Sequence, residues 1–390
     1  MVLYGLGVTI GAGIYVLIGA ATERAGVYAP VSFFLAAVII GFSAASFAEF
    51  AGRFPVSAGE AAYVRAGFNS KLLSLVVGIL VVASGVISSA TISRGSVGYL
   101  QEFFALPGWT LICTVVLVLG IIAAWGIMES VIFASLFTLV EVSALLIIIG
   151  AGLAENEDLF QRVPSTIPHF GDIVAWGSVA SAGLLAFFAF IGFEDMVNLA
   201  EEVKNPRRVL PWAIFLTLVL GTAIYFMVTA VAVLSVPLEQ LAQSRAPLSF
   251  VFGHLTGASS AAISCIAIVA TLNGVIIQII MASRVLYGLG KQGALPKAFA
   301  RISAITRTPL ISTFFVTTLV LLLALTFPLE GLAEMTSRIV LIIFALVNLA
   351  LIRLKLRRNE AATGAFSVRI WRPICGEISC VALLVYDAVA

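Results

Sequence analysis

Gly5-Leu6-Gly7-Val8-Thr9-Ile10-Gly11-Ala12-Gly13-Ile14-Tyr15 lies inside an apolar run that extends from Val2 to Ala21. Glycine weakens a helix by up to about 1 kcal/mol per residue relative to alanine. Three readings of the stretch compete. A dinucleotide-binding fingerprint fails, because Ile10 stands where G-x-G-x-x-G requires its last glycine. Gly7-x-x-x-Gly11 fits close helix–helix packing in a membrane. The third reading is an interrupted helix whose freed backbone N–H and C=O groups face a cavity.

The rest of the chain supplies the membrane context. Of its 390 residues, 61% are hydrophobic and 11% charged, and the mean hydropathy is +1.13. Soluble domains are about a quarter charged and about half apolar, so bilayer is the solvent that this composition suits. Crossing the hydrocarbon core takes roughly 20 apolar residues. Eleven runs qualify: Val2–Ala21, Pro30–Phe50, Leu72–Ile92, Leu111–Ile127, Val131–Leu153, Val174–Leu199, Pro211–Val236, Ser259–Met281, Leu310–Phe327, Ser337–Leu354 and Ile374–Val389. No linker or low-complexity stretch divides them, so one membrane domain is expected. Val2–Ile18 lacks a basic leader and is rich in glycine, which favours a first transmembrane helix over a signal peptide.

Basic residues orient the spans. With the N-terminus cytoplasmic and sides alternating, one face collects Arg53, Arg65, Lys71, Lys204, Arg207, Arg208, Arg284, Lys291, Lys297, Arg301, Arg307 and the basic residues from Arg353 to Arg372. The other holds Arg24, Arg94, Arg162, Arg245 and Arg338, together with the acidic loop 154–173 and both histidines, His169 and His254, as exposed loop residues. Two loop histidines offer no base for acyl transfer and no H-E-x-x-H site. Cys113, Cys265, Cys375 and Cys380 form no C-x-x-C pair and read as reduced thiols. No cofactor, metal or nucleic-acid partner is implied.

A second stretch decides among the readings of the first. Phe187-Phe188-Ala189-Phe190-Ile191-Gly192-Phe193-Glu194-Asp195 places a glycine and two carboxylates inside the sixth run. Charges near mid-bilayer cost several kcal/mol unless they face protein or water. Five runs precede this one, so it opens a second half as the first run opens the first half, and an odd number of crossings inverts that half. Paired interruptions at matching places of inverted repeats point to the binding site of a carrier.

At this point the residues resemble the amino acid–polyamine–organocation transporter superfamily, most closely its bacterial permeases related to cationic amino acid transporters. The resemblance rests on Gly7-Val8-Thr9-Ile10-Gly11-Ala12-Gly13-Ile14-Tyr15, on Ala48-Glu49-Phe50-Ala51-Gly52-Arg53-Phe54-Pro55-Val56-Ser57-Ala58-Gly59-Glu60, and on Phe190-Ile191-Gly192-Phe193-Glu194 through Glu201-Glu202-Val203-Lys204-Asn205-Pro206. It continues through Ala270-Thr271-Leu272-Asn273-Gly274 and Ala282-Ser283-Arg284-Val285-Leu286-Tyr287 to Gly293-Ala294-Leu295-Pro296. It implies an all-α, LeuT-like fold of two inverted five-helix repeats (1–153 and 174–354), the first helix of each unwound, plus an eleventh helix (374–389); relatives commonly have twelve. It further implies amino acid transport across the cytoplasmic (inner) membrane, without enzymatic chemistry. The substrate carboxylate would meet backbone amides of Thr9, Gly11, Ala12 and Gly13, with Ile10 among them. Its amino group would meet carbonyls of Phe190, Ile191 and Phe193 around Gly192, under Phe188 as an aromatic gate. The half-helix after the first break presents its positive end to an anion.

Three polar groups inside the runs are candidates for coupling. Glu141 lies deep in the fifth run, where by the resemblance some proton-coupled relatives have lysine; it could exchange a proton, ligate a cation such as sodium, or be structural. Glu194 follows the second break at the start of a half-helix, where negative charge is favoured; it could sense pH or meet a cationic substrate group. Asn273 could hydrogen-bond to the first helix or line the site, or simply join helices. Asp195 would pair with a basic group, and Glu49, Arg53, Glu201, Glu202 and Lys204 would form an ion-pair network near the cytoplasmic face. The expectation is therefore proton-coupled alternating access with amino acid and membrane lipid as partners. An amine or polyamine carrier or exchanger, and a non-transporting amino acid sensor, are the alternatives.

Overall fold

A computed structural model describes residues 1–10, 13–54, 59–126, 131–198, 203–357 and 366–389. The helices are α1 (Val2–Ile10), α2 (Gly13–Ala25), α3 (Ala29–Arg53), α4 (Gly59–Phe68), α5 (Lys71–Gln101), α6 (Gly108–Trp125), α7 (Val131–Glu155), α8 (Leu159–Arg162) and α9 (Ile173–Phe188). They continue as α10 (Asp195–Asn198), α11 (Pro206–Ser235), α12 (Leu238–Gln243), α13 (Pro247–Thr256), α14 (Ala261–Lys291), α15 (Leu310–Thr326), α16 (Leu329–Leu356) and α17 (Trp371–Val389). Among the described residues there is no strand, and seven helical stretches are long and apolar enough to cross a membrane. Large apolar side chains such as Phe34, Ile121, Trp125 and Phe314 are exposed on the outside. Among the described residues, exposed apolar side chains of this kind are those a bilayer would cover. The architecture is that of an all-α polytopic membrane protein of the LeuT-like type.

Local chemistry sets the helix ends. The Ser70 hydroxyl accepts the Leu73 N–H at the start of α5, and the Asp172 carboxylate accepts the Ala175 N–H at the start of α9. Prolines stand in the first turn of α3, α11 and α13, where no intrahelical N–H is needed. Gly126 ends α6 at φ +83°, the left-handed region that only glycine enters without strain.

Glycines also fix which helices touch. A Cβ at Gly78 would press on Leu289 and one at Gly85 on Ala282 and Gln278, so α5 and α14 run antiparallel in close contact. Gly120 and Gly126 face Thr317 and Thr308, which sets α6 antiparallel to α15. Gly41 faces Leu218 and Gly52 faces the Arg207 carbonyl, which sets α3 against α11. Each pair joins a helix from the first half of the chain to one from the second.

The two ends of the bundle are tied by charge. At one end Arg24 of α2 pairs with Glu330 (3.4 Å) and Glu334 (2.5 Å) of α16, and Arg338 joins Glu334 (3.1 Å) to Asp387 of α17 (2.6 Å). At the other end Glu49, fully buried in α3, pairs with Arg53, accepts from Lys355 Nζ at 2.8 Å and accepts the Val368 N–H at 2.7 Å. Arg53, Lys355 and Val368 are thus the partners of Glu49; Lys204 is exposed, and Glu201 and Glu202 lie outside the described residues.

Val174–Leu199 is broken after Phe188, as its glycine and carboxylates lead one to expect; the break expected in Val2–Ala21 falls at Gly11 and Ala12, outside the described residues. Other elements differ from the sequence expectation. α5 and α14 reach 31 residues each, well past Ile92 and Met281, because a helix keeps its backbone hydrogen bonds beyond the apolar core. Arg94 and Arg338 are consequently helical residues, and His254 closes α13 instead of sitting in a loop. α4 and α13 are amphipathic and shorter than a membrane crossing, which hid them from a search for apolar runs.

Candidate functional site

The two stretches meet in the middle of the molecule, and Gly13 and Gly192 let them do so, while Gly7 admits α7. A Cβ on Gly13 would stand 2.2 Å from Ala189 Cα, and one on Gly192 would stand 2.7 Å from the Val8 carbonyl oxygen. A Cβ on Gly7 would stand 2.1 Å from Thr138 Oγ1 of α7. Gly7 thus packs closely against α7, as the packing reading expects of it. α1 is described to Ile10 and α2 from Gly13; Gly11, the other half of the packing motif, and Ala12, both expected to bind the substrate carboxylate, lie outside the described residues. In the second interruption Gly192 takes φ +121°, a conformation open to glycine alone. The Gly192 N–H donates to Glu194 Oε2 at 2.9 Å, so this carboxylate caps its own turn immediately before α10.

Tyr225 of α11 stitches the breaks together. Its hydroxyl lies 2.8 Å from the carbonyl oxygens of both Thr9 and Ala189. One phenolic proton is thus shared between carbonyls released by each broken helix, which meets the demand that buried polar backbone be satisfied. Phe190 packs edge-on against the Tyr225 ring at 4.8 Å. Beyond Gly13 a second chain of phenols runs through α2: the Tyr99 hydroxyl donates to the Tyr15 carbonyl at 2.6 Å, and the Tyr15 hydroxyl donates to the Glu141 carbonyl at 2.9 Å.

A cavity of about 20 Å³ lies between the breaks, lined by Gly7, Val8, Thr9 and Gly13, by Phe188 and Ile191, and by Ser88, Ile92, Gly274, Ile277 and Gln278. That is the volume of about one water molecule, so admission of a solute requires its walls to part. The Thr9 hydroxyl is buried with no hydrogen-bond partner among the described residues. Toward the α4 side a second chamber of about 30 Å³ shares Ile191 and Gln278 as walls and is lined by Glu60, Ser84, Gly85, Glu194, Asp195 and Phe344. Toward the other end opens a vestibule of about 620 Å³ whose lining includes Val16, Glu23, Arg94, Arg245 and Glu330.

The candidate residues divide accordingly. Thr9, Gly13, Phe188 and Ile191 line the central cavity. Ile10, Phe190, Gly192 and Phe193 do not. Ile10 is fully buried in the core, and Phe193 belongs to an aromatic cluster with Phe47 (5.7 Å) and Phe344 (5.4 Å). Phe190 and Gly192 serve the turn around it. Glu141 is 1% exposed in α7, near the cavity through Tyr15. Asn273 is half-buried in α14, one residue before the cavity-lining Gly274. Asp195, expected to pair with a basic group, accepts from the Gln278 Nε2 amide at 3.2 Å. Sequence reasoning missed Ser88, Ile92, Ile277 and Gln278 altogether. They sit in unbroken helices, where nothing marks which face turns inward. Tyr225 left one signal, a hydroxyl in the middle of an apolar run.

Comparison with known proteins agrees with this geometry. Residues 2–389 match the family model described as amino acid permease. The branched-chain amino acid permease BcaP of Bacillus subtilis is 27% identical, over 92% of this chain and 80% of its own length. The vacuolar cationic amino acid transporter 4 of Arabidopsis thaliana is 31% identical over 91% of this chain, which spans only 62% of that protein. A methylthioribose transporter of B. subtilis is 26% identical over 92% of this chain and 81% of its own length. A match that runs from the first interrupted helix to the end of α17 leaves one conclusion: the chain belongs to the amino acid permease family.

Proposed function

We propose that this protein is a secondary active transporter that carries amino acids across the cytoplasmic membrane by alternating access, coupled to a proton. One observation carries the reading: the first apolar stretch and the interrupted sixth run face each other across a buried cavity, with Gly7, Val8, Thr9 and Gly13 on one side and Phe188 and Ile191 on the other. Backbone amides and carbonyls left without helical partners suit the carboxylate and ammonium of an amino acid. The names of its relatives, a branched-chain amino acid permease and a cationic amino acid transporter, support that substrate class.

The antiparallel pairing of α3 with α11, α5 with α14 and α6 with α15 supports repeats at 1–153 and 174–354, with 374–389 outside them. The concentration of basic residues around α4 and the ends of α14 and α16 supports a cytoplasmic N-terminus. Glu141 is the coupling candidate because its carboxylate is almost wholly buried in a membrane helix, where the backbone carbonyl of the same residue accepts from the Tyr15 hydroxyl of α2. Carboxylates inside membrane helices mark proton and ion pathways. One observation favours a second reading, an amine or polyamine carrier or exchanger: Glu60, Glu194 and Asp195 line the chamber beneath the cavity.

Uptake of radiolabelled amino acids into proteoliposomes, with and without an inward proton gradient, tests the proposal. Gradient-driven accumulation is expected. Binding without uptake would make the protein a sensor, and uptake of amines alone would select the second reading. Glu141→Gln should abolish the response to the gradient; a variant that stays equally gradient-driven removes Glu141 from coupling.

A further inference from the structure

Between the central cavity and the chamber beneath it stand only two side chains common to both walls, Ile191 and Gln278. They come from different bodies. Ile191 lies in the turn that interrupts the second broken helix, whereas Gln278 lies in the middle of α14, an unbroken helix packed along α5. The Gln278 amide reaches across this boundary, and its Nε2 donates to Asp195 Oδ2 at 3.2 Å at the start of α10. Space for the amide is made on the α5 side by Gly85, where a Cβ would come within 3.3 Å of Gln278 Oε1. The amide thus bonds α10 through its Nε2 while its Oε1 fits against the glycine face of α5.

Movement of a solute from the cavity into the lower chamber requires Ile191 to part from Gln278. That parting breaks the one hydrogen bond seen between Gln278 and the second broken helix. We propose that Gln278 is the gating residue of the inner path: its bond to Asp195 holds the septum shut, and its release opens the cavity toward the face that carries Arg65 and Lys71. This rests on the alternating-access reading above and adds to it the residue at which one side closes. Gln278 is a positioning residue here. It acts by holding α10 against α14, and its amide is neutral, so the latch works without a change of charge.

The test uses the full-length chain in which the four native cysteines are replaced and a single reporter cysteine is introduced. Ser88→Cys lies in the central cavity and Ser84→Cys in the lower chamber. A membrane-impermeant thiol reagent is applied from the Arg65/Lys71 face. In Gln278→Leu the labelling rate of Ser88→Cys should rise about fivefold, the factor expected for loss of one net hydrogen bond, while Ser84→Cys changes little. Asp195→Ala should match it, and the double variant should exceed neither. Asp195→Asn keeps an acceptor oxygen and should restore the parental rate. Gly85→Ala should raise labelling with Gln278 intact, because its methyl crowds the amide. Equal rates in parent and Gln278→Leu would overturn the proposal, as would a parallel rise at both reporters, which marks general loosening. Protection of Ser88→Cys by added amino acid reads the transport hypothesis separately, so either can fail while the other stands.

Discussion

In the first stretch α1 is described to Ile10 and α2 from Gly13, whereas the second leaves residues 189–194 between α9 and α10. The first stretch relies on missing side chains: Gly7 and Gly13 let Thr138 and Ala189 come closer than any Cβ would allow. The long break organises itself, with Gly192 at positive φ and the Glu194 carboxylate capping the Gly192 N–H. Tyr225 then ties a carbonyl of one to a carbonyl of the other. The difference teaches that two halves can present freed backbone to one cavity by unlike means. One break depends on what its neighbours leave open, and the other on its own backbone and side chain.

Substitutions can break this comparison. Gly13→Val should have the largest effect, because the obstacle is Ala189 backbone that cannot rotate away. Overpacking of this kind costs about 3 kcal/mol or more, so uptake should be lost and the melting temperature in detergent should fall. Gly192→Ala combines a left-handed backbone with the nearby Val8 carbonyl and should cost about 1–3 kcal/mol, read by the same melting curve. Were Gly192→Ala to match Gly13→Val, the contrast between a crowded break and a conformational one would collapse.

Tyr225→Phe keeps the ring against Phe190 but removes the shared proton. A cost of about 1 kcal/mol is expected, with a larger fall in maximal uptake rate than in stability, since both breaks lose a restraint together. Equal losses would make Tyr225 a packing residue. Glu194→Gln should be mildest, about 0.5 kcal/mol, because an amide oxygen still accepts the Gly192 N–H. Glu194→Ala should cost more than Glu194→Gln, and measured melting temperatures in the reverse order would sink the capping role.

Much of the fold was legible in the chain before any coordinates. Runs of about 20 apolar residues can only be membrane helices, and glycine or a carboxylate inside such a run is conspicuous against it. That is how the breaks near Gly11 and Gly192 and the buried Glu141 came into view. The cavity was only half legible. Thr9, Gly13, Phe188 and Ile191 sit at the breaks and were found; Ser88, Ile92, Ile277 and Gln278 sit in regular helices and were not. Where the side chains of Phe190 and Phe193 go was not legible, because six residues of turn rotate successive side chains in ways no helical period describes. Phe193 fills an aromatic cluster with Phe47 and Phe344.

Glu194 and Asp195 show the limit most clearly. Two adjacent carboxylates in an apolar run demand partners, but the run does not say which. Glu194 finds its own backbone at Gly192 and Asp195 finds the amide of Gln278, 83 residues away. The chain alone determined that this protein spans a membrane, that its sixth apolar run is interrupted and that carboxylates lie within the spans. Those properties follow from composition and local propensity. Which helices pair, how small the cavity is and which phenol and which amide hold its walls were decided only in three dimensions, because a hydrogen bond between distant helices depends on rotation and register, and neither is written in a run of leucines and valines.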